Sequence, residues 1–315
     1  MSLGRRGTEI GRVKGCETGF EERKIANCEV CQPVSERMVR ATSIDLCTES
    51  FGDPSDPALL LIMGAMASML WWPEGLCRQL AERGRFVVRY DNRDTGRSVT
   101  YEPGQPGYTL DDMADDAAGV LDAYKIQHAH LIGMSLGGMI AQLTALKHPA
   151  RVASLTLIAS SVFGPDNPDL PPMDPKILAY HRSGAELNWS DEAAVIDYMV
   201  GGWRLLSGSA HPFDEPAIRA IATGEVKRAT NLLSMFNHAL LTGGERWYGK
   251  IGEIRAPALV IHGTDDPVLP YPHGLALART IPGAKLLTLN GTGHELHAAD
   301  WNTIADAILE HTASR

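Results

Sequence analysis

The chain has 315 residues, of which 44% are hydrophobic and 21% charged, so it is long enough and apolar enough to bury a full-sized core. A formal net charge of -9 argues against nucleic acid as a partner, because phosphates attract a basic surface and no dense Lys/Arg run supplies one. These features favour a globular protein whose partner is a small molecule.

The sequence contains no segment typical of a membrane protein or a secreted one. The longest apolar run, residues 58–72, is interrupted by Gly64 and Ser68 and is shorter than the roughly 20 residues that a membrane helix needs. Arg5 and Arg6 are not followed by the apolar stretch of an export signal. We therefore expect a cytoplasmic protein without a membrane partner.

The first 34 residues are polar and glycine-rich, and we interpret residues 1–34 as an N-terminal extension that is poorly ordered. Within it Cys28 and Cys31 have the spacing of half a zinc or redox site, with Cys16 nearby. A structural zinc site needs four ligands, and no second pair follows. We assign this segment no chemistry.

From residue 41 onward, strand-like and helix-like patterns alternate. Predicted strands cover residues 43–50, 58–63, 85–90, 129–132, 154–158, 258–261 and 285–289, the first of them half-solvated. Predicted helices cover residues 73–83, 109–124 and 139–146, and a last helix begins near His297 with Trp301, Ile304 and Ile308 as its apolar stripe. This alternation predicts an α/β fold with a mostly parallel sheet flanked by helices, and functional groups beyond the carboxyl ends of the strands. Cys47 and Cys77 fall in a predicted strand and helix and are interpreted as core thiols.

Residues 163–250 interrupt this rhythm with a proline-rich loop followed by helical segments rich in aromatic side chains and methionine. Such an excursion predicts a helical cap, inserted between the two parts of the core at residues 35–162 and 251–315. Side chains that could line an apolar substrate pocket are Met66, Trp203, Met235 and Phe236. At helical spacing such residues more often pack within a core, and both interpretations stay open.

The segment Gly133-Met134-Ser135-Leu136-Gly137 matches the pattern G-x-S-x-G. It follows a short apolar run and precedes a helical pattern, so it predicts a sharp strand-to-helix turn that exposes the Ser135 hydroxyl. Glycine is expected on both sides of the turn because a Cβ there would collide with the neighbouring strand or helix. The alternative is a plain Gly-Ser turn between two core elements.

A serine hydroxyl is a poor nucleophile until a base removes its proton, and that base needs a third group to orient it. Two late predicted strands run into loops that carry such groups. Asp266 directly precedes Pro267, and His294 directly follows a Gly-x-Gly turn. Asp265 is the less favoured acid and is interpreted as a turn or solvated residue. For His294 the alternative is a partly buried structural histidine.

An oxyanion formed during attack needs backbone donors, for which the candidates are the Leu136 amide after the serine and the Ala65 amide after an early strand. For Ala65 the alternative is an ordinary loop. The stretch from His294 to His297 is one residue short of H-E-x-x-H, and no phosphate-loop or dinucleotide motif occurs, so we expect neither a metal nor a cofactor.

Together these motifs resemble the α/β-hydrolase superfamily. The resemblance rests on Gly-Met-Ser-Leu-Gly at Ser135, His-Gly-Thr-Asp-Asp-Pro at Asp266, Gly-Thr-Gly-His at His294, residues 90–98 (YDNRDTGRS) and, more loosely, residues 203–208 (WRLLSG). Within the superfamily the chain is similar to the aclacinomycin methylesterase group, from about residue 35 to the C-terminus. Two departures from the superfamily pattern are Met63-Gly64 in place of His-Gly, a feature the methylesterase group shares, and the extension at residues 1–34.

The resemblance implies a serine hydrolase that cleaves a carboxylic ester through an acyl-enzyme, with Ser135, His294 and Asp266 as its triad. It does not carry over a substrate, because caps in this superfamily vary with substrate. Two alternatives remain: a lactonase with the same triad, and a member of the fold that binds a small molecule without turnover. Epoxide or halide chemistry is disfavoured, because those relatives have aspartate at the Ser135 position. The expected partner is a small-molecule ester or lactone, and the oligomeric state stays open.

Overall fold

The computed structural model describes residues 36–165 and 167–313. The predicted extension at residues 1–34, with Cys16, Cys28 and Cys31, lies outside the described residues. Within them the strands are β1 (Arg37–Ala41), β2 (Ile44–Phe51), β3 (Ala58–Ile62), β4 (Phe86–Tyr90), β5 (Ala129–Met134), β6 (Val152–Ile158), β7 (Ala258–Gly263) and β8 (Lys285–Leu289). The α-helices are α1 (Glu74–Glu82), α2 (Leu110–Ala123), α3 (Leu136–Lys147), α4 (Pro175–Ser183), α5 (Glu192–Leu206), α6 (Glu215–Arg228), α7 (Pro272–Thr280) and α8 (Trp301–Thr312).

The eight strands form one sheet in the order β1-β2-β4-β3-β5-β6-β7-β8. Strands β1 and β2 are antiparallel to each other and β2 is antiparallel to β4, whereas every pair from β4 to β8 is parallel. The predicted α/β architecture is therefore confirmed. Because β3 to β8 run in the same direction, their carboxyl ends meet at one edge of the sheet, where the loops after β3, β5, β7 and β8 gather.

Helices cover both faces of the sheet. Against one face pack α2, α3 and α7, with fully buried side chains such as Leu131, Leu143 and Leu277. Against the other pack α1 and α8, with Leu76, Ile304 and Ile308 fully buried. Each such side chain contributes about 1.5–3 kcal/mol of hydrophobic stabilisation, so the two layers hold the sheet and its loops in place. Cys47 and Cys77 are buried free thiols, as predicted.

Three details differ from the sequence-based expectations. Strand β1 and helix α7 were not predicted. Strand β2 is not half-solvated, because both of its faces are covered and its residues from Leu46 to Glu49 are all buried. His297 caps a short 3-10 turn, Ala298–Asp300, and α8 begins only at Trp301.

Between β6 and β7 the chain forms helices α4, α5 and α6 and a longer 3-10 helix, Leu232–Leu240. We call residues 163–250, of which the structure describes all but residue 166, the insertion. Its side chains join the α1/α8 layer through α5 and α6, with Val195 and Ala222 fully buried there. None of the helices in the described part of the chain has the length and apolar character needed to cross a bilayer.

Candidate active site

The turn between β5 and α3 holds Ser135 in a strained conformation. Its φ is 54° and its ψ is -121°, a region that residues with a side chain rarely adopt. The Ser135 amide donates to the Ile158 carbonyl oxygen at 2.9 Å. Its own carbonyl oxygen accepts from the Ser160 hydroxyl at 2.8 Å. These contacts on β6 and the loop after it fix the turn, so the Ser135 side chain stands at the carboxyl edge of the sheet, half-buried.

Glycines around this turn allow the backbone segments to approach one another closely. A Cβ at Gly133 would lie 2.2 Å from the Gly137 carbonyl oxygen, and one at Gly137 would lie 2.0 Å from the Ile62 carbonyl oxygen. These are collisions with main chain, which cannot move aside as a flexible side chain can. A Cβ at Gly64 would lie 3.1 Å from the Ser135 Cβ, so the loop after β3 lies directly against the serine.

His294 and Asp266 form a buried pair at the ends of β8 and β7. The His294 Nδ1 donates to the Asp266 Oδ2 at 2.8 Å. The other carboxylate oxygen, Oδ1, accepts from the amides of Val268 and Leu269, both at 2.8 Å. Burial opposes ionisation of Asp266, but its interactions with His294 and these amides prevail and lower its pKa. The carboxylate therefore holds a proton on Nδ1 and leaves Nε2 of the ring as the basic atom.

The two adjacent carboxylates are in different environments. Asp266 is 4% exposed and faces the imidazole. Asp265 is exposed and accepts from the Ser209 hydroxyl at 2.5 Å and from its amide at 3.3 Å. Asp265 thus binds the insertion, whereas Asp266 orients the histidine.

The end of α5 packs on the loop that carries His294. The His294 amide donates to the Leu206 carbonyl oxygen at 2.8 Å, and the Ala210 amide donates to the Gly291 carbonyl oxygen at 2.8 Å. The Gly208 amide donates to the Glu295 carboxylate at 2.8 Å. Residues 203–208, part of the resemblance noted above, therefore secure the position of the imidazole.

Among the described residues, the hydrogen bonds of the site include the His294–Asp266 pair but none made by the Ser135 hydroxyl, so contact between serine and histidine stays a prediction.

The amides of the two candidate oxyanion donors, Leu136 and Ala65, are free to donate a hydrogen bond to a substrate oxygen. Leu136 begins α3 and has no intrahelical acceptor for its N–H. The Ala65 N–H donates to no other described residue, and its neighbour Gly64 contacts Ser135.

The loop that carries Ala65, residues 63–72, is held by polar side chains that sequence reasoning missed. Its hydrogen bonds with side chains and main chain elsewhere are Asn92 Nδ2 to Met63 O at 3.0 Å, Met66 N to His238 Nδ1 at 3.0 Å, Ser68 Oγ to Glu225, Met69 N to Asp91 Oδ1 at 2.9 Å, and Arg89 to Trp72 O. Asp91 and Asn92 lie within the sequence YDNRDTGRS, which was recognised without a role. His238 and Glu225 belong to no motif and had no signal in the sequence.

A cavity of about 500 Å³ lies beside the site, within the size range of small-molecule pockets. It is bounded by Met134, directly before the serine, and by Glu295, directly after the histidine. Its apolar lining includes Trp71, Trp203, Phe213, Ile218, Leu296 and Trp301. A larger cavity of about 860 Å³ is lined by Ala58 and Phe86, the first residues of β3 and β4, and so lies at the opposite edge of the sheet.

The four side chains considered for a substrate pocket are not all in one place. Trp203 lines the smaller cavity and stacks on Trp71, with ring centroids 4.0 Å apart. Phe236 packs edge-on against Trp189 at 5.3 Å, as a core aromatic would. Met235 is buried in the 3-10 helix, and Met66 is half-buried on the loop beside Ala65. Contact of these side chains with substrate stays a prediction.

No group of three or more His, Cys, Asp or Glu side chains that could hold a metal ion occurs in the described ranges.

Comparisons with known proteins identify the relatives of this arrangement. The model of the α/β-hydrolase fold family matches residues 57–299. The rhodomycin D methylesterase of Streptomyces sp. (strain C5) is 35% identical over 298 residues, covering 88% of this chain and 97% of its own length. That of Streptomyces peucetius is 33% identical with the same coverage, 88% and 97%. The structure of an esterase from Exiguobacterium antarcticum superposes with a TM-score of 0.72 at 21% identity, covering 89% of this chain and all of the other, which shows a shared fold.

Proposed function

The chain belongs to the α/β-hydrolase fold family, and on that premise we propose that it cleaves a small-molecule carboxylic ester through a Ser135–His294–Asp266 triad and an acyl-enzyme. Its similarity to the two methylesterases shows that it is a hydrolase that acts on ester bonds. What they do not supply is the identity of the reacting groups, which we assign from the geometry above.

In the proposed reaction the Ser135 oxygen attacks the ester carbonyl while the His294 Nε2 takes the hydroxyl proton. The proton then passes from His294 to the leaving alcohol, and water hydrolyses the acyl-serine by the same route. The Asp266 carboxylate keeps the ring in the required tautomer and stabilises its cation. The amides of Ala65 and Leu136 donate to the oxyanion.

The observation that carries this proposal is the buried His294–Asp266 pair at the same sheet edge as a strained Ser135. A histidine whose Nδ1 is committed to a carboxylate at 2.8 Å has its Nε2 available for a serine proton. A backbone conformation as costly as that of Ser135 persists where surrounding structure enforces it, and such positions cluster at active sites. The free Ser135 hydroxyl can turn toward the imidazole when substrate binds, because catalytic hydrogen bonds often tighten only in the complex.

The cavity beside the site indicates the kind of ester. Its lining is mainly apolar and aromatic, and the stacked pair Trp71 and Trp203 offers flat surfaces. We propose that it receives the apolar part of the substrate, with Trp203 as a substrate-binding residue. One feature of the substrate follows: a bulky apolar group.

Replacing Ser135 by alanine tests the proposal. Ser135→Ala should lower the kcat/KM for a p-nitrophenyl ester by about 10⁴-fold or more, because the nucleophile is lost. It should also abolish covalent labelling by a fluorophosphonate probe, measured by intact-protein mass. Ser190→Ala, an exposed serine of the insertion, is the matched control and should react as wild type does.

Assays of the wild-type protein separate the alternatives. A panel of open-chain esters and lactones of graded size distinguishes an esterase from a lactonase, since both would use the same residues. A wild-type protein that neither labels with the probe nor hydrolyses any member of the panel would contradict the catalytic proposal and favour a binding protein.

A further inference from the structure

His238 lies on the 3-10 helix of the insertion and uses both of its ring nitrogens. It is 6% exposed, and its Nε2 lies 2.8 Å from the carbonyl oxygen of Arg93. Its Nδ1 lies 3.0 Å from the amide nitrogen of Met66. Because a carbonyl can only accept, Nε2 carries the proton, and Nδ1 offers its lone pair to the Met66 N–H. The two contacts therefore require one neutral tautomer of His238.

The residue that His238 holds directly follows the candidate oxyanion donor Ala65. Met66 has a φ of 59°, in the left-handed region that a long side chain disfavours. A conformation of this kind is unfavourable for a residue with a side chain and persists only where neighbours hold it. The bond to His238 directs the Met66 N–H toward the insertion and opposes relaxation of the loop.

The amide of Ala65 is not taken up by such a bond. The Met66 N–H is taken by His238 and the Ser68 N–H by Glu225 at 3.4 Å, whereas the Ala65 N–H donates to no described residue. The peptide planes on the two sides of Ala65 share its Cα, so fixing the Met66 amide restricts the direction of the Ala65 amide. An oxyanion donor is effective when its direction is set before the reaction.

We propose that His238 is a positioning residue for the oxyanion hole, which orders the Ala65 amide through the neighbouring amide of Met66. The inference rests on the proposed function, since it gives the Ala65 amide its role. It assigns the insertion a part in the chemical step, because the residue that orders the donor lies in the insertion.

The charge state of the ring agrees with this role. Burial lowers the pKa of His238, although the Arg93 carbonyl and the Asp94 carboxylate act in the opposite direction. The Asp94 carboxylate itself accepts from the Tyr108 hydroxyl at 2.8 Å and from Asn237 at 2.9 Å. A protonated ring would set an N–H against the Met66 N–H, so the neutral form is the one that holds the loop.

Three variants test the inference through the separate values of kcat and KM for one ester. His238→Phe keeps a ring of similar size but removes the acceptor, and should lower kcat roughly 10- to 100-fold with KM changed less than about twofold, because a displaced donor weakens the transition state more than the bound ester. His238→Gln keeps both an acceptor and a donor, and should recover kcat to within about fivefold of wild type. The control His181→Gln replaces an exposed histidine of α4 and should leave both constants unchanged.

A kcat of His238→Phe close to wild type, a loss confined to KM, or a Gln variant no better than the Phe variant would each overturn the inference. Should the Phe variant fail to fold, ¹⁵N chemical shifts of the wild-type imidazoles at pH 7 give a second test. The inference requires His238 to be neutral with its proton on Nε2, and a ring protonated on Nδ1 contradicts it. Ester hydrolysis absent from the wild type itself would instead mark failure of the proposed function.

Discussion

The turn that carries Ser135 and the loop that carries Ala65 face each other across the site but keep their shapes by different means. The serine turn is held by close main-chain approach, because a Cβ at Gly133 would lie 2.2 Å from the Gly137 carbonyl oxygen and one at Gly137 would lie 2.0 Å from the Ile62 carbonyl oxygen. The loop at residues 63–72 depends instead on side chains distant in sequence, including His238 at 3.0 Å from the Met66 amide. The comparison teaches that the candidate nucleophile is placed by close approach of main-chain segments, whereas the candidate oxyanion donor is placed by hydrogen bonds from side chains distant in sequence.

The largest effect is expected at His294 and Asp266, the proposed acid–base pair, which lies outside both loops and sets the scale for the other variants. Asp266→Asn should reduce kcat/KM roughly 10⁴-fold, because an amide in place of the carboxylate favours the wrong imidazole tautomer. Steady-state kinetics with an ester measures this. The matched control is Asp265→Asn, which weakens only exposed contacts to Ser209 and Thr264 and should cost less than about tenfold. Equal losses in the two variants would contradict the assignment of the acid.

One added methyl group should disrupt the close main-chain packing of the serine turn. Gly137→Ala should lower the free energy of unfolding by about 3 kcal/mol or more and remove activity, because the new Cβ collides with the Ile62 carbonyl oxygen. Urea unfolding followed by circular dichroism measures the stability. Gly84→Ala serves as control, since Gly84 has a φ of 77° but open space around it. It should cost only about 1 kcal/mol. A stable, active Gly137→Ala would show that the turn is not held by close approach.

Glu225, one of the distant side chains that hold the loop at residues 63–72, should make the free energy of unfolding depend on pH. Burial, reinforced by the charge of Asp91, raises the pKa of Glu225 from 4.5 to about 7. Below pH 4.5 the group is protonated in both the folded and the unfolded state and costs nothing. As the pH rises from 4.5 to 7 the unfolded chain loses this proton first, so the folded state loses up to about 3 kcal/mol of stability.

Glu225→Gln should abolish this loss, because the amide does not ionise. The difference in unfolding free energy between variant and wild type should therefore grow from pH 4.5 to 7 in the variant's favour, as measured by urea titrations at a series of pH values. Glu253→Gln, whose residue is exposed, should show no such trend. A difference that stays constant with pH would mean that folding does not raise the pKa of Glu225.

The smallest effect is expected from a side chain that supports the serine turn. Ser160→Ala removes the hydroxyl that donates to the Ser135 carbonyl oxygen, which keeps its bond from the Gly138 amide at 2.9 Å. The loss should be about 1 kcal/mol of stability, measured by thermal unfolding, with kcat reduced less than about fivefold. A larger loss of kcat would mean that side chains, and not only glycines, enforce the turn.

The features that could be predicted from the sequence are those set by short-range patterns, and the features that could not are set by contacts between distant residues. The strands, the α/β architecture and the glycine-dependent serine turn follow from short-range patterns, because periodicity and turn chemistry act over a few residues. The choice of Asp266 over Asp265 agrees with their different burial and partners. Strand β1 was missed because its short pattern is exposed on one side, and the predicted alternation of β2 gave no sign that both of its faces would be covered.

His238 and Glu225 were beyond such reasoning. Each is a single polar residue in a helical segment, and what gives it a role is a contact with a loop more than 150 residues earlier in the chain, between Met66 and His238 or Ser68 and Glu225. A contact of that kind exists only after the sheet and the insertion have packed, so no local pattern announces it.

The main-chain bond between the His294 amide and the Leu206 carbonyl oxygen, at 2.8 Å, has a consequence for how substrate enters. If the whole insertion moved away as a rigid body, this bond would pull His294 with it and separate the imidazole from Asp266. We therefore expect any movement that admits a substrate to occur in other parts of the insertion and to spare the end of α5, so that the His294–Asp266 pair stays intact.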